Sequence, residues 1–197
     1  MKICLINSSY EGVDSPFEKY DDLPDPNRYI PKSRHEFVTR WVTKANAEAE
    51  IDEICKEKFD MFMNYMWGIE SDEVAGVAAT RYLESKGVPI LTNPSSFLAK
   101  TKLDLQRAAY KTGLRVPRDT PGRYPKIVKH SDGYGSLNLD YGSICWDEQS
   151  VRERLRLLAR EGRSFGTLVQ DFIVGTECSA IVIEMGSEVV ALTPLHS

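Results

Sequence analysis

Apolar and polar positions along the first part of the chain alternate in blocks that predict a small α/β unit. Apolar residues recur at helical spacing over 35–50 and 72–86, and Gly87 stands where a helix C-terminal cap is expected. Three compact apolar runs predict strands at Lys2–Asn7, Phe59–Met66 and Val88–Asn93. The order strand, helix, strand, helix, strand predicts a small parallel sheet with covering helices.

The pattern changes in the second half of the chain. A helical stretch is predicted over 95–112, and a connector rich in turn residues follows it. From Lys126 onward the apolar runs predict mainly strands, interrupted by one amphipathic helix over 150–161. We therefore expect the fold class α/β followed by α+β with antiparallel strands, divided into domains 1–94 and 95–197.

Composition and charge narrow the classes of function. The chain has 197 residues, a formal net charge of -4 and a hydrophobic content of 42%. The acidic balance argues against a nucleic-acid partner, and no apolar run approaches the length of a membrane span. Four widely separated cysteines without a CxxC pair predict free thiols in a reducing compartment. We expect a cytoplasmic protein that binds neither nucleic acid nor membrane.

A glycine-rich turn follows the strand predicted around Lys129. Glycines allow backbone conformations in which successive N–H groups point at an anion, and a lysine on the entering strand can reach phosphate oxygens. The turn is not a P-loop, because no GK[ST] sequence opens a helix after it. A hairpin tip with surface lysines is the alternative interpretation. The turn comprises Gly133, Tyr134, Gly135 and Ser136.

Two further segments are candidates for ligand contacts. The apolar run LVQDFI leads into an exposed link and then a glycine and Glu177. Backbone groups of such a link can recognise an adenine edge, and a carboxylate can accept hydrogen bonds from ribose hydroxyls. Lys102 lies near the start of a predicted helix, where the helix dipole disfavours a cation. Each segment taken alone also fits a purely structural interpretation.

In order and spacing, the three segments resemble the ATP-grasp family and, within it, the D-alanine–D-alanine ligase-like branch. In that family a lysine opens a helix after a short strand. A strand and glycine-rich loop of the form K-P-x-x-G-G-S-S-x-G follow about twenty-seven residues later, and E-x-[FY]-[IV]-x-G-x-E comes next. Lys102, Lys129 with HSDGYGSLN, and QDFIVGTE take these places. The resemblance runs from about residue 59 to the end of the chain.

The resemblance implies a role for each matched position. Lys102 and Lys129 would bind ATP phosphates, and Glu177 would hold the ribose. The loop formed by Gly133, Tyr134, Gly135 and Ser136 would cover the phosphates. Lys126 fits the spacing to the glycines worse than Lys129 does. Backbone groups of four residues would hold adenine: Gln170, Asp171, Phe172 and Ile173.

The sequence departs from the family pattern within these motifs. His130 replaces the proline, Asn138 replaces the last glycine of the loop, and Gln170 stands where the family usually has glutamate. The last departure puts the contact with the adenine amino group in doubt.

A larger departure concerns the metal. The family binds Mg²⁺ through an aspartate and a Glu-x-Asn set that come after the ribose glutamate, and this sequence ends at Ser197 before such a set. We therefore expect an ATP-grasp domain without its later part, with no metal ligands and no assignable catalytic residue. ATP is the expected ligand, with an amino acid or small carboxylate as a possible second one. The chain alone should be inactive as a carboxylate–amine ligase.

Other interpretations stay open. The chain can be a non-catalytic nucleotide-binding or interaction module, or an ATP-grasp ligase of another branch with a different amino-acid substrate. An incomplete sheet would also expose an apolar edge, and such edges promote self-association.

Overall fold

The structure is a computed structural model that describes residues 1–15, 17–21, 25–132, 135–160 and 166–196. The α-helices are α1 Ala47–Lys56, α2 Val77–Ser85, α3 Ser95–Leu98, α4 Lys102–Lys111 and α5 Glu148–Arg160. Short 3-10 helices lie at Glu18–Tyr20, Pro26–Arg28 and Tyr141–Ser143. The strands are β1 Lys2–Ser8, β2 Glu36–Val42, β3 Met61–Asn64, β4 Ile90–Thr92, β5 Lys126–His130, β6 Ile144–Cys145, β7 Thr167–Asp171, β8 Cys178–Ser179, β9 Val182–Met185, β10 Glu188–Ala191 and β11 Leu195–His196.

The first sheet is parallel and has the strand order β2-β1-β3-β4. Its inner strand β1 is buried from Ile3 to Ser8. A parallel strand covered on both faces reads as a continuous apolar run, which is why KICLIN is recognisable in the sequence. The predicted parallel α/β unit is thus confirmed. Helices α1 and α2 complete its core with Ile51, Ile54, Ala79 and Leu83.

The helix predicted over 35–50 is wrong. Strand β2 occupies this region and pairs in parallel with β1, with Glu36 opposite Lys2, and α1 begins only at Ala47. Phe37 and Trp41 are four residues apart, which satisfies a helical template, but β-branched and aromatic residues also suit a strand. The segment forms a strand because the edge of β1 offers hydrogen-bond partners to its backbone. The spacing of side chains along the sequence does not reveal such partners.

The helix predicted over 95–112 is divided in two. A short α3 ends at Leu98, and α4 begins at Lys102. The break is stabilised by Thr101, whose side chain accepts a hydrogen bond from the N–H of Asp104, while the Asp104 carboxylate accepts one from the N–H of Thr101. This reciprocal capping box satisfies two backbone donors and fixes the start of α4.

The second sheet is antiparallel, with the order β6-β5-β7. Side chains along β5 alternate between two faces. Val128 lies on the face that packs against α5, in a cluster with Cys145 and Leu158. Lys126 is on the same face, buried, where its ammonium contacts Asp171 at 2.7 Å and Asp119 at 2.6 Å. Lys126 is therefore committed to a structural ion pair.

The last strands form two short ladders, β9 with β10 and β8 with β11. Much of their apolar surface faces solvent. Met185 is 56% exposed and Val189 is 69% exposed, and Val182, Ile183 and Leu195 are also exposed. Nothing in the described part of the chain covers this surface, which we call the C-terminal apolar surface.

The four cysteines are free, and Cys4 and Cys145 are buried while Cys178 is exposed. Within the described ranges, no helix combines the length and apolar character needed to cross a bilayer.

We expect Lys126→Met to lower the thermal stability of the chain strongly, because it leaves the buried Asp171 carboxylate without its cation. Hydrogen bonds from Lys126 and Thr120 hold the pKa of Asp171 well below its usual range, although burial opposes them. The stability from this depressed pKa is complete above the ordinary carboxyl value of 3.8 and is lost as the pH falls toward the lowered pKa. Thermal unfolding between neutral and acidic pH measures both effects.

The matched control is Arg81→Met, which removes the exposed ion pair of Arg81 with Glu70 and should change the melting temperature little. Equal stability of the Lys126→Met protein and the wild type, or an unchanged dependence on acidic pH, would show that the pair does not support the fold.

We also predict that the protein self-associates through the C-terminal apolar surface. Met185→Lys should reduce association without disrupting the hairpin, because the new lysine lies directly opposite Glu188 on the neighbouring strand. Light scattering over a range of protein concentrations gives the average mass of both proteins. A monodisperse wild-type monomer at high concentration would contradict this prediction.

Candidate functional site

Lys102 is the first residue of α4, and the helix N-terminus lies against the end of β5. Its N–H donates to the carbonyl oxygen of Ser131 at 3.1 Å, and its Nζ donates to the carbonyl oxygen of His130 at 3.1 Å. The capping box at Thr101 fixes this end of the helix. The helix dipole and a lysine at its first turn therefore contribute positive potential at the same point, which favours an anion.

Lys129 lies on β5 on the face opposite Lys126. The two lysines are three positions apart in the sequence, and the period of a strand is two, so their side chains point to opposite sides of the sheet. Lys129 shares its face with Ile127 and with Gln170 of β7, which is paired with Ile127. We call the face that carries Ile127, Lys129 and Gln170 the open face, because α5 packs against the other face of the sheet.

The two lysines line one cavity of about 180 Å³, together with His130 and the loop residues Gly135 and Ser136. Burial and the positive charge of Lys129 lower the pKa of Lys102, although the carboxylate of Asp132 opposes this effect. Burial also lowers the pKa of Lys129, and Glu177 opposes it. Both ammonium groups would gain stabilisation from an anion in the cavity, because an anion offsets the cost of burying positive charge.

The described end of the glycine-rich loop has an unusual backbone. Gly135, Ser136 and Asn138 have φ angles of 59°, 54° and 54°. Left-handed conformations are uncommon for residues other than glycine, and asparagine adopts them more readily than most. The substitution of Asn138 for the last glycine of the family loop is therefore compatible with the backbone. Gly133 and Tyr134, which the sequence also assigns to the loop, lie outside the described residues.

Arg154 of α5 anchors the far end of the loop. Its side chain is buried and donates to the carbonyl oxygen of Asn138, to the hydroxyl of Ser143 at 2.8 Å and to the carboxylate of Asp140 at 3.2 Å. At the near end, the N–H of Ser131 donates to the carbonyl oxygen of Gly166 at 2.8 Å. The segment between these anchors has fixed ends beside the lysines.

The N-terminal unit contacts the loop through Phe17. A Cβ atom on Gly135 would lie 2.7 Å from Cε1 of Phe17, so the close approach requires glycine there. Phe17 in turn packs edge-on against Trp67, with ring centroids 5.3 Å apart. The indole N–H of Trp67 donates to Asp21 at 2.9 Å. The irregular N-terminal segment therefore contacts both the glycine-rich loop, at Gly135, and Trp67, which follows β3.

Gln170 occupies the open face of β7 and is 2% exposed. No hydrogen-bond partner for its Nε2 is found among the described residues. A buried amide without a partner is costly, and a ligand atom that accepts a hydrogen bond would remove the cost. The sequence signal was the position of Gln170 in the motif, where the family usually has glutamate.

The link after β7 is exposed, with Ile173 65% exposed. The N–H groups of the last residue of β7 and of the first residue of the link are used within the chain: Asp171 donates to the carbonyl oxygen of Arg118 at 2.6 Å, and Phe172 donates to that of Pro125 at 2.9 Å. These two groups are therefore not available to adenine. Asp171 also contributes its side chain to the ion pair with Lys126.

Glu177 lies beyond this link and interacts electrostatically with Lys129. Lys102, Lys129, Gly135 and Ser136 thus line a single cavity, while Gln170 lies on the same face of the sheet as Lys129. Phe17 and Arg154 were missed by sequence reasoning, and no spacing rule identifies them, because each acts through a contact between distant segments.

The Mg²⁺ implied by the resemblance is not matched by the side chains present. Across the part of the chain that the structure describes, no three His, Cys, Asp or Glu residues come together in a group that could hold a metal. Two of the nearby carboxylates, Asp132 and Asp171, are already engaged with protein donors.

Comparisons with known proteins support the fold. No protein-family model and no curated protein matches the chain. Among solved structures, it is similar to an L-amino acid ligase from Bacillus licheniformis, with a TM-score of 0.63 and 15% identity over 99% of this chain and 52% of that one. It is also similar to a D-alanine–D-alanine ligase from Helicobacter pylori, with a TM-score of 0.62 and 13% identity over 100% of this chain and 75% of that one.

The chain therefore spans about half the length of the first structure and three quarters of the second. At these identities the similarity supports an ATP-grasp-like fold and does not extend to a substrate or an activity.

Proposed function

We propose that the chain binds ATP on the open face of β5 and β7. The observation that carries the proposal is the cavity shared by Lys102 and Lys129 beneath a loop with left-handed backbone. Two half-buried lysines and a helix N-terminus are suited to the charge of a polyphosphate. In this arrangement the described loop residues Gly135 and Ser136 cover the phosphates.

The adenine and ribose contacts are part of the same proposal. The Nε2 of Gln170 would donate to a ring nitrogen of adenine, since an amide nitrogen cannot accept from the exocyclic amino group. The backbone of Ile173 follows in the exposed link, with the Asp171 and Phe172 N–H groups already used. Glu177 would accept hydrogen bonds from the ribose hydroxyls. In this proposal the domain 95–197 carries the nucleotide and 1–94 packs beside it.

ATP binding of this kind serves a carboxylate–amine ligase. In such a reaction a carboxylate is activated by phosphorylation and an amine then displaces the phosphate, which forms an amide bond. Phosphoryl transfer depends mostly on positioning and charge neutralisation, and the two lysines supply both for the phosphates. The proposal for this chain includes ATP and an amino acid or small carboxylate, and assigns no catalytic residue.

A non-catalytic nucleotide-binding module is the second candidate. It is favoured by the lack of a metal-binding group among the described carboxylates. The two candidates share the ATP site and differ in turnover.

We expect Lys129→Ala to weaken ATP binding by roughly tenfold to a hundredfold, because a hydrogen bond to a charged group contributes about 1.5–3 kcal/mol. Isothermal titration calorimetry measures the affinity. The control is Lys111→Ala on the exposed last turn of α4, which removes the same charge away from the cavity. Wild-type protein that does not bind ATP, or equal affinities of the two variants, would refute the proposed site.

We also expect ATP binding to take up protons at alkaline pH. The pKa values of Lys102 and Lys129 are lowered in the free protein, and a bound phosphate favours their charged forms. Affinity should therefore fall as the pH rises through these lowered pKa values. Calorimetry in two buffers of different ionisation enthalpy counts the protons taken up, and no uptake as the pH approaches the ordinary lysine value of 10.5 would contradict the lysine contacts.

A further inference from the structure

Lys102 also lines a second cavity. Its volume is about 370 Å³, and its walls come from the segment after β3, from α3 and from the first turns of α4. The walls are mainly apolar, formed by Trp67, Ile69, Phe97, Leu98 and Leu105. We call this space the apolar cavity. It is distinct from the cavity proposed for phosphates, which is bounded by Lys129 and the loop.

Three charged residues line the cavity. Lys100 and Lys102 provide two cations, and Asp132 provides one carboxylate. The Asp132 carboxylate also accepts hydrogen bonds from the hydroxyl of Ser131 at 2.8 Å and from the N–H of Gly166 at 3.0 Å. Two cations and one carboxylate give the lining a net positive charge, which favours an anion over a cation as the ligand.

Apolar walls with a cationic edge are complementary to an amphiphilic anion. A hydrocarbon body fits against the aromatic and aliphatic side chains, and its charged end fits against the lysines. A phosphate ester or a sugar would place polar groups against the apolar walls and would not bury them in apolar contacts. A neutral hydrocarbon would gain nothing from the net positive charge of the lining.

Lys102 lines both cavities. A carboxylate held by Lys102 from the apolar side would lie next to the space proposed for the phosphates of ATP. The two cavities are therefore neighbours that share Lys102.

We propose that the apolar cavity binds a small carboxylate with a branched or aromatic apolar side chain, whose carboxylate faces Lys102. This inference rests on the proposed ATP-binding function and names the class of its second ligand. Leu105 and Ile69 contact the apolar body, and they determine specificity for large apolar side chains over small ones.

The experiment uses the indole N–H signals of the 15N-labelled chain in solution. Trp67 lines the apolar cavity, whereas Trp41 and Trp146 do not line it and are 49% and 71% exposed. The Trp67 signal is assigned with Trp67→Phe. Titration with 4-methylpentanoate in the absence of ATP should shift the Trp67 signal saturably and leave the other two in place.

Matched ligands test the chemistry. Acetate keeps the charge but lacks the apolar body, and 4-methylpentanamide keeps the body but lacks the charge. Each should bind at least about fivefold more weakly than 4-methylpentanoate. If acetate bound as tightly as 4-methylpentanoate, the site would be a general anion site. If the amide bound as tightly, Lys102 would have no role in binding. Either result, or a Trp67 signal that does not shift, would overturn the proposal.

Variants separate this inference from the ATP site. Leu105→Gln should weaken the binding of 4-methylpentanoate at least about fivefold, because it removes apolar contact area. The affinity for ATP should not change, because Leu105 lies outside the phosphate cavity, and the fold should tolerate glutamine at a side chain that is 54% exposed. Lys129→Ala should have the reverse effect. Leu157→Gln on α5, where Leu157 is 47% exposed, is the control for folding and should change neither affinity.

Loss of ATP binding with intact carboxylate binding would refute the proposed function alone. Intact ATP binding with no response to 4-methylpentanoate, or with equal affinity in the Leu105→Gln protein, would refute the apolar cavity alone.

Discussion

The fold of the second half of the chain depends on which side chains of β5 point to each face of its sheet. Lys126 and Lys129 are three residues apart, so the pleat sends one to the packed face and the other to the open face. On the packed face, the ion pair of Lys126 with Asp171 is enclosed by the same layer that buries Val128 against α5. A shift of register by one residue would exchange the roles of the two lysines and leave a cation buried against an apolar helix.

Helices position the remaining parts around that strand. The capping box of α4 holds the N-terminus of the helix at the end of β5, and Lys102 is anchored there through its own backbone and side chain. Arg154 of α5 ties down the carbonyl oxygen of Asn138 and the side chain of Ser143. The left-handed backbone of the loop is tolerated because both of its ends are fixed by such contacts. The stability of this region and the geometry of the lysine-lined cavity therefore depend on the same hydrogen bonds.

Sequence patterns correctly predicted the elements in which each face has the same surroundings along its whole length. The buried run of β1, the alternation of β5 and the amphipathic α5 each carry a periodic signal that survives in the fold. Residues 35–50 were assigned to a helix because the spacing of Phe37 and Trp41 satisfied that period, while the partner strand that makes them β2 lies more than thirty residues away in the sequence. Contacts between distant segments, such as that of Phe17 with Gly135, leave no local pattern at all.

The sequence by itself determined the parallel sheet and the order of the candidate ligand segments, since these follow from local apolar periodicity and from the order of residues in the chain. The preference for Lys129 over Lys126 came from the motif spacing of the family that the sequence resembles. Only the tertiary structure decided that Lys102 and Lys129 line one cavity, that the N–H groups of Asp171 and Phe172 are already used, and that Lys102 also borders an apolar cavity. The physical reason is that side-chain direction follows from local backbone geometry, whereas proximity and desolvation arise only when segments far apart in the chain pack together.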